Sequence, residues 1–170
     1  MAASNTLTIE HSLLNKSQIK ESVFVLAFSI LLPFLIHFIP VSGNPAGAVL
    51  LPIFIAPFIA VIFFRMNVAL ITALLSPILN YLLTGNPIYG TVGIITLELF
   101  SFVLIAGLLL RFEIVKYFAA PISIIISMFL SQLIFSSISH FPVGLTIGLP
   151  GIILISLINL LIFPLSKKSK

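Results

Sequence analysis

The chain has 170 residues, 60% of them hydrophobic and 7% charged, with a mean hydropathy of +1.31 and a formal net charge of +4. A water-soluble globule of this length needs a charged outer face, and these figures exclude one: between residues 22 and 111 the charged side chains are Arg65, Glu98 and Arg111. The eight Lys and Arg sit at the ends of apolar runs and not in a patch interleaved with aromatics, so a bilayer accounts for the basic balance and a nucleic-acid partner is not expected.

The first twenty residues are polar and lack an apolar signal core, so insertion is expected to begin with the first apolar run. That run covers residues 22–40 and carries His37 one turn below its far end. The second, 45–64, follows the tripeptide Gly-Asn-Pro at 43–45. The third, 67–83, is the shortest and contains Pro77, which predicts a tilt or kink, with Asn80 one turn below its end. A second Gly-Asn-Pro, at 85–87, leads into the fourth run, 87–110, where Glu98 lies about three turns, roughly 16 Å, into the helix. The fifth run, 114–138, carries Gln132 about two turns from its end, and the sixth covers 142–165. Most reach the roughly 17 to 25 residues needed to cross a bilayer. The expectation is an all-α integral membrane protein, one domain of six transmembrane helices with short tails.

Orientation follows from the cations. Lys16 and Lys20 precede the first span, Arg65 lies between the second and third, Arg111 and Lys116 between the fourth and fifth, and Lys167, Lys168 and Lys170 follow the sixth. Six crossings put all of them on one side, which predicts cytoplasmic N- and C-termini and external loops at 41–44, 84–86 and 139–141. Both Gly-Asn-Pro turns then start helices that descend from outside, with Asn44 and Asn86 as expected N-caps and Pro45 and Pro87 at the first helical position.

Strongly polar side chains crowd the outer half, whereas the inner half offers mainly Ser29, Thr72, Ser76 and Asn159. That asymmetry predicts a cavity open to the outside. Candidate substrate contacts are Glu98, Asn80, Gln132, His37, Asn44, Asn86, Tyr89 and His140. For Glu98 the alternative is a protonated interhelical hydrogen bond. For Asn80, Gln132 and His37 it is helix-to-helix bonding, and for Tyr81 and Tyr89 it is anchoring at the membrane interface.

Some chemistry is missing. There is no G-x-x-x-x-G-K-[ST] loop for ATP, no H-E-x-x-H, no metal-ligand spacing among His11, His37 and His140, and no cysteine for a disulfide, thiolate site or nucleophile. With one intramembrane carboxylate there is no acid/base pair. An enzyme is not expected, and neither is a metal or cofactor.

The order "AVLLP", "LLSPILNYLLTGNP", a helix with a single Glu ending "AGLLLR", and the last helix "TIGLPGIILISLINLLIFPL" resembles the substrate-binding S components of energy-coupling factor vitamin transporters. The resemblance covers well over half the chain. It implies capture of a small water-soluble vitamin or precursor from outside a prokaryotic plasma membrane. It also implies delivery inward with a transmembrane coupling protein and two cytoplasmic ATPase subunits as partners. The family often docks its coupling subunit through an Ala-x-x-x-Ala seam in helix one. Here Ala27 is followed four residues later by Leu31, while Ala56 and Ala60 have that spacing in the second span, so these three are the candidate docking residues. Gly144 and Gly148 repeat the spacing in the last span, and Phe54 stands where relatives often have a histidine. The alternative reading is an autonomous secondary transporter or channel, and a third is a non-transporting membrane scaffold.

Overall fold

The structure, a computed structural model, describes residues 16–36, 46–135 and 141–166. Its helices are α1 (Lys16–Ile36), α2 (Ala46–Leu50), α3 (Ile55–Phe63), α4 (Met66–Thr84), α5 (Tyr89–Leu109), α6 (Ala119–Ile134) and α7 (Phe141–Ser166). A 3-10 turn, Pro52–Phe54, joins α2 to α3, and another, Val115–Phe118, leads into α6. No strand occurs among the described residues. Five segments are long and apolar enough to cross a membrane: Lys16–Ile36, Met66–Thr84, Tyr89–Leu109, Val115–Ile134 and Val143–Ile162.

Side-chain placement shows what solvent the surface is built for. Ser29, Ser76, Ser123, Ser127 and Ser131 are fully buried, whereas Phe24, Leu82, Leu83 and Leu161 are between 67% and 72% exposed. In water this arrangement would be inside out; in hydrocarbon the outward leucines cost nothing, and small residues let helices approach closely. On α6, Ala120, Ser123, Ser127 and Ser131 recur every three or four residues as a buried stripe. α5 lies between α4 and α6, α1 packs on α4 and α3, and α7 packs against α6 and α2. The core is aromatic at its centre: the Phe102 ring meets Phe54 edge-on at 5.2 Å and Phe58 at 5.9 Å.

The second predicted span departs from a single helix. Pro52 disfavours the α conformation in the residue before it, and Leu51 adopts the left-handed region at φ 48°, ψ 43°. α2 therefore stops after five residues, and Pro52–Phe63 is too short to cross alone. Leu51 N–H still donates to Gly47 O at 3.1 Å and Phe54 N–H to Leu51 O at 3.1 Å, so the break stays hydrogen-bonded. α7 seats directly on it. A Cβ at Gly151 would stand 2.6 Å from the Leu50 carbonyl carbon, and one at Gly148 would stand 3.1 Å from Leu51 Cδ1.

The second Gly-Asn-Pro turn works differently from expectation. Gly85, at φ 74°, ends α4 as its left-handed C-cap and donates to Tyr81 O at 2.9 Å. Asn86 does not cap α5. That helix begins at Tyr89, Ile88 occupies the cap position without a side-chain bond, and the Asn86–Pro87 peptide is cis. The earlier turn, with Asn44 and Pro45, lies outside the described residues.

Candidate functional site

Between α1, the Leu51 break, α4 and the first half of α5 lies a cavity of about 380 Å³. The end of α1 supplies Pro33 and Phe34, the break supplies Leu51 to Phe54, and α4 supplies Asn80 and Thr84. The turn gives Asn86, Pro87 and Ile88, and α5 gives Thr91, Ile95 and Glu98. Irregular backbone at membrane depth is tolerated where it lines a cavity, and the left-handed Leu51 does so.

Asn80 is buried and both its amide protons are used: Nδ2 donates to Ser29 O at 3.1 Å and Ser76 O at 2.9 Å. The first bond has a cause in the sequence. In a helix the Ser29 carbonyl would accept from residue 33, which is Pro33 and has no N–H. Asn80, from the neighbouring helix, supplies the missing donor, which leaves its own Oδ1 as the group available to a ligand. The bond also sets Ser29 level with the Ser76–Asn80 turn, behind the cavity wall that Asn80 lines.

Glu98 is buried at the cavity wall and accepts the Ser131 hydroxyl of α6 at 2.7 Å on Oε1. The same hydroxyl stands 2.9 Å from Met128 O, so one proton faces two acceptors. Glu98 is thus both an interhelical link and a lining residue. Thr84 Oγ1 donates to Asn80 O at 2.7 Å and Thr91 Oγ1 to Ile88 O at 2.7 Å. Both hydroxyls thereby turn their lone pairs, not their protons, to other partners.

Of the residues singled out from sequence, Glu98, Asn80 and Asn86 meet at this cavity. Gln132 does not line it. It is half-buried, and its buried Oε1 has no hydrogen-bond partner among the described residues. Ser131, its neighbour, makes the contact instead, because one residue turns a helical side chain by about 100°. Tyr89 also lies off the wall, 76% exposed, its ring 5.7 Å from that of Tyr81. His37, Asn44 and His140 fall outside the described residues. Ala56 and Ala60 are fully buried within the bundle and present no atoms to another chain, whereas Ala27 is exposed. Ser131, Thr84, Thr91 and Leu51 were not anticipated. Ser131 was signalled by the small-residue stripe of α6, and Leu51 by the proline after it.

Among the described residues no group of His, Cys, Asp and Glu is placed to hold a metal ion. No protein-family model, curated protein or solved structure matches the chain.

Proposed function

We propose that this chain captures a small water-soluble solute, of the vitamin or vitamin-precursor class, as the substrate-specific subunit of an ATP-driven energy-coupling factor transporter. The observation that carries the reading is the cavity of about 380 Å³, within the roughly 300–1,000 Å³ range of small-molecule sites, with Glu98 and Asn80 in an otherwise apolar wall. In this reading α2, the 3-10 turn and α3 act together as a sixth crossing of a prokaryotic plasma membrane. Both termini are cytoplasmic, and the 85–88 turn and the cavity mouth face outward. A coupling protein and two ATPase subunits supply the energy, consistent with a chain that carries no phosphate-binding loop.

The wall also restricts the solute. Its described side chains include no Lys, Arg or His, and beside the Glu98 carboxyl and the Asn86 amide its polar groups are acceptors: Asn80 Oδ1 and two hydroxyls whose protons are already donated. A ligand recognised there offers an amine, amide or ring N–H to Glu98.

Purification from cells without added ligand, followed by mass spectrometry, is the direct test. The expected result is a co-purifying N–H-bearing solute that raises the melting temperature. Glu98→Gln should bind it more weakly by about 1–3 kcal/mol while retaining the bond from Ser131. If no solute co-purifies or stabilises the protein, the capture reading fails. If liposomes containing this chain alone concentrate a solute on an imposed ion gradient, it is a secondary transporter.

A further inference from the structure

At the opposite end of α5 from the Glu98 cavity there is a second hollow, about 450 Å³, with a different character. Its walls are Val61 of α3, Met66 of α4, and Leu104, Leu108 and Leu110, and its rim is Arg111. Gly107 forms its floor. A Cβ there would stand 3.0 Å from Met66 Cε and 3.1 Å from its Sδ, so the absence of a side chain at 107 is what lets Met66 lie against α5 in this wall. Arg65 directly precedes the wall residue Met66 and is exposed, as is Arg111. Among the described residues the one ion pair joins Lys116 to Glu113, so neither arginine has a carboxylate partner there.

We propose that this groove binds an anionic phospholipid, its phosphate held by Arg111 and Arg65 and the upper part of an acyl chain lying between Met66 and Leu108. Charge complementarity selects the occupant. Arg111 stands where an apolar trough ends and Arg65 directly precedes its wall residue Met66, both at the end of helices long enough to cross a bilayer. The guanidinium fork matches phosphate oxygens two at a time. A zwitterionic headgroup brings its own cation to the same place and gains less. A soluble phosphate leaves the trough unfilled. This site is independent of the solute cavity, since no residue lines both.

The test uses the full chain in nanodiscs of phosphatidylcholine alone or with phosphatidylglycerol, with retained lipid counted by native mass spectrometry and melting followed in parallel. Phosphatidylglycerol should be retained in preference and should raise the melting temperature, and glycerol phosphate alone should do neither. An arginine at an anionic surface contributes about a fivefold factor, so Arg65→Gln with Arg111→Gln should weaken retention about thirtyfold. Gly107→Leu, which keeps both charges and displaces Met66 from the trough wall, should weaken it as well. Should either variant fail to fold, the wild type still decides: raised salt should release phosphatidylglycerol selectively. Equal retention of the two lipids, salt-independent retention, or full competition by glycerol phosphate would overturn the proposal.

Discussion

At the scale of single residues, two asparagines do the same job at different places. Asn80 of α4 donates to the Ser29 carbonyl, whose helical partner would have been Pro33. Asn159 of α7 donates to Tyr117 O at 2.8 Å and Lys116 O at 3.1 Å, and the residue four on from Tyr117 is Pro121. A carbonyl deprived of its N–H has no water to turn to inside a bilayer, so a side chain from the next helix must serve it. This makes a specific coupling testable. Asn80→Leu should lower stability by about 1–3 kcal/mol, chiefly by leaving Ser29 O unpaired. Pro33→Ala restores an N–H at position 33 and should recover much of that loss in the double variant. Thermal or denaturant melts of the four proteins check it. Strictly additive effects would mean that Asn80 matters through something other than the Ser29 carbonyl.

At the scale of elements, the break at Leu51 and the seat of α7 on it form one unit. Gly151 is required there because a side chain would meet Leu50 backbone atoms, at 2.6 Å for the carbonyl carbon and 2.7 Å for its oxygen, and backbone cannot swing aside as a side chain can. Gly151→Ala should therefore cost about 1–3 kcal/mol of stability. The same change at Gly90, which has nothing within 4 Å, should be close to neutral, and a paired melting experiment gives the comparison. Long apolar periods made five helices legible from sequence: the third predicted span, 67–83, appears as Met66–Thr84 with Pro77 inside it, and the fourth, 87–110, as Tyr89–Leu109. What composition could not convey was that 45–64, equally apolar, is two short helices, because a window average ignores the conformational effect of Pro52 on Leu51. Depth singled out Glu98 and Asn80, and the external turn singled out Asn86; the structure places all three at one cavity. Ser131 in place of Gln132 was not legible, since depth leaves rotation about the helix axis undetermined and neighbouring residues differ by about 100°.

At the scale of the whole molecule, orientation in the membrane rests on where the cations fall, and the chain lends itself to a direct measurement because it contains no cysteine. The Glu98 cavity reaches the 85–88 turn through Asn86, Pro87 and Ile88, whereas Arg65 and Arg111 stand at the other end of the helices that flank it. Where the candidate spans cross a bilayer, these two ends face opposite sides of it. If the cations are cytoplasmic, as the positive-inside rule requires, the 85–88 turn and the end of the cavity that it lines face outward, as the proposed capture of a solute requires. Asn86→Cys should then react with an impermeant thiol reagent added to intact cells, while Arg65→Cys and Lys168→Cys should react only after the membrane is opened. Asn86 suits the experiment because it is exposed and caps no helix, so the substitution removes no helix cap. Labelling of Lys168→Cys from outside together with protection of Asn86→Cys would invert the molecule. Outside labelling of both would put an even number of crossings between them, and α5, α6 and α7 could then not all cross the bilayer.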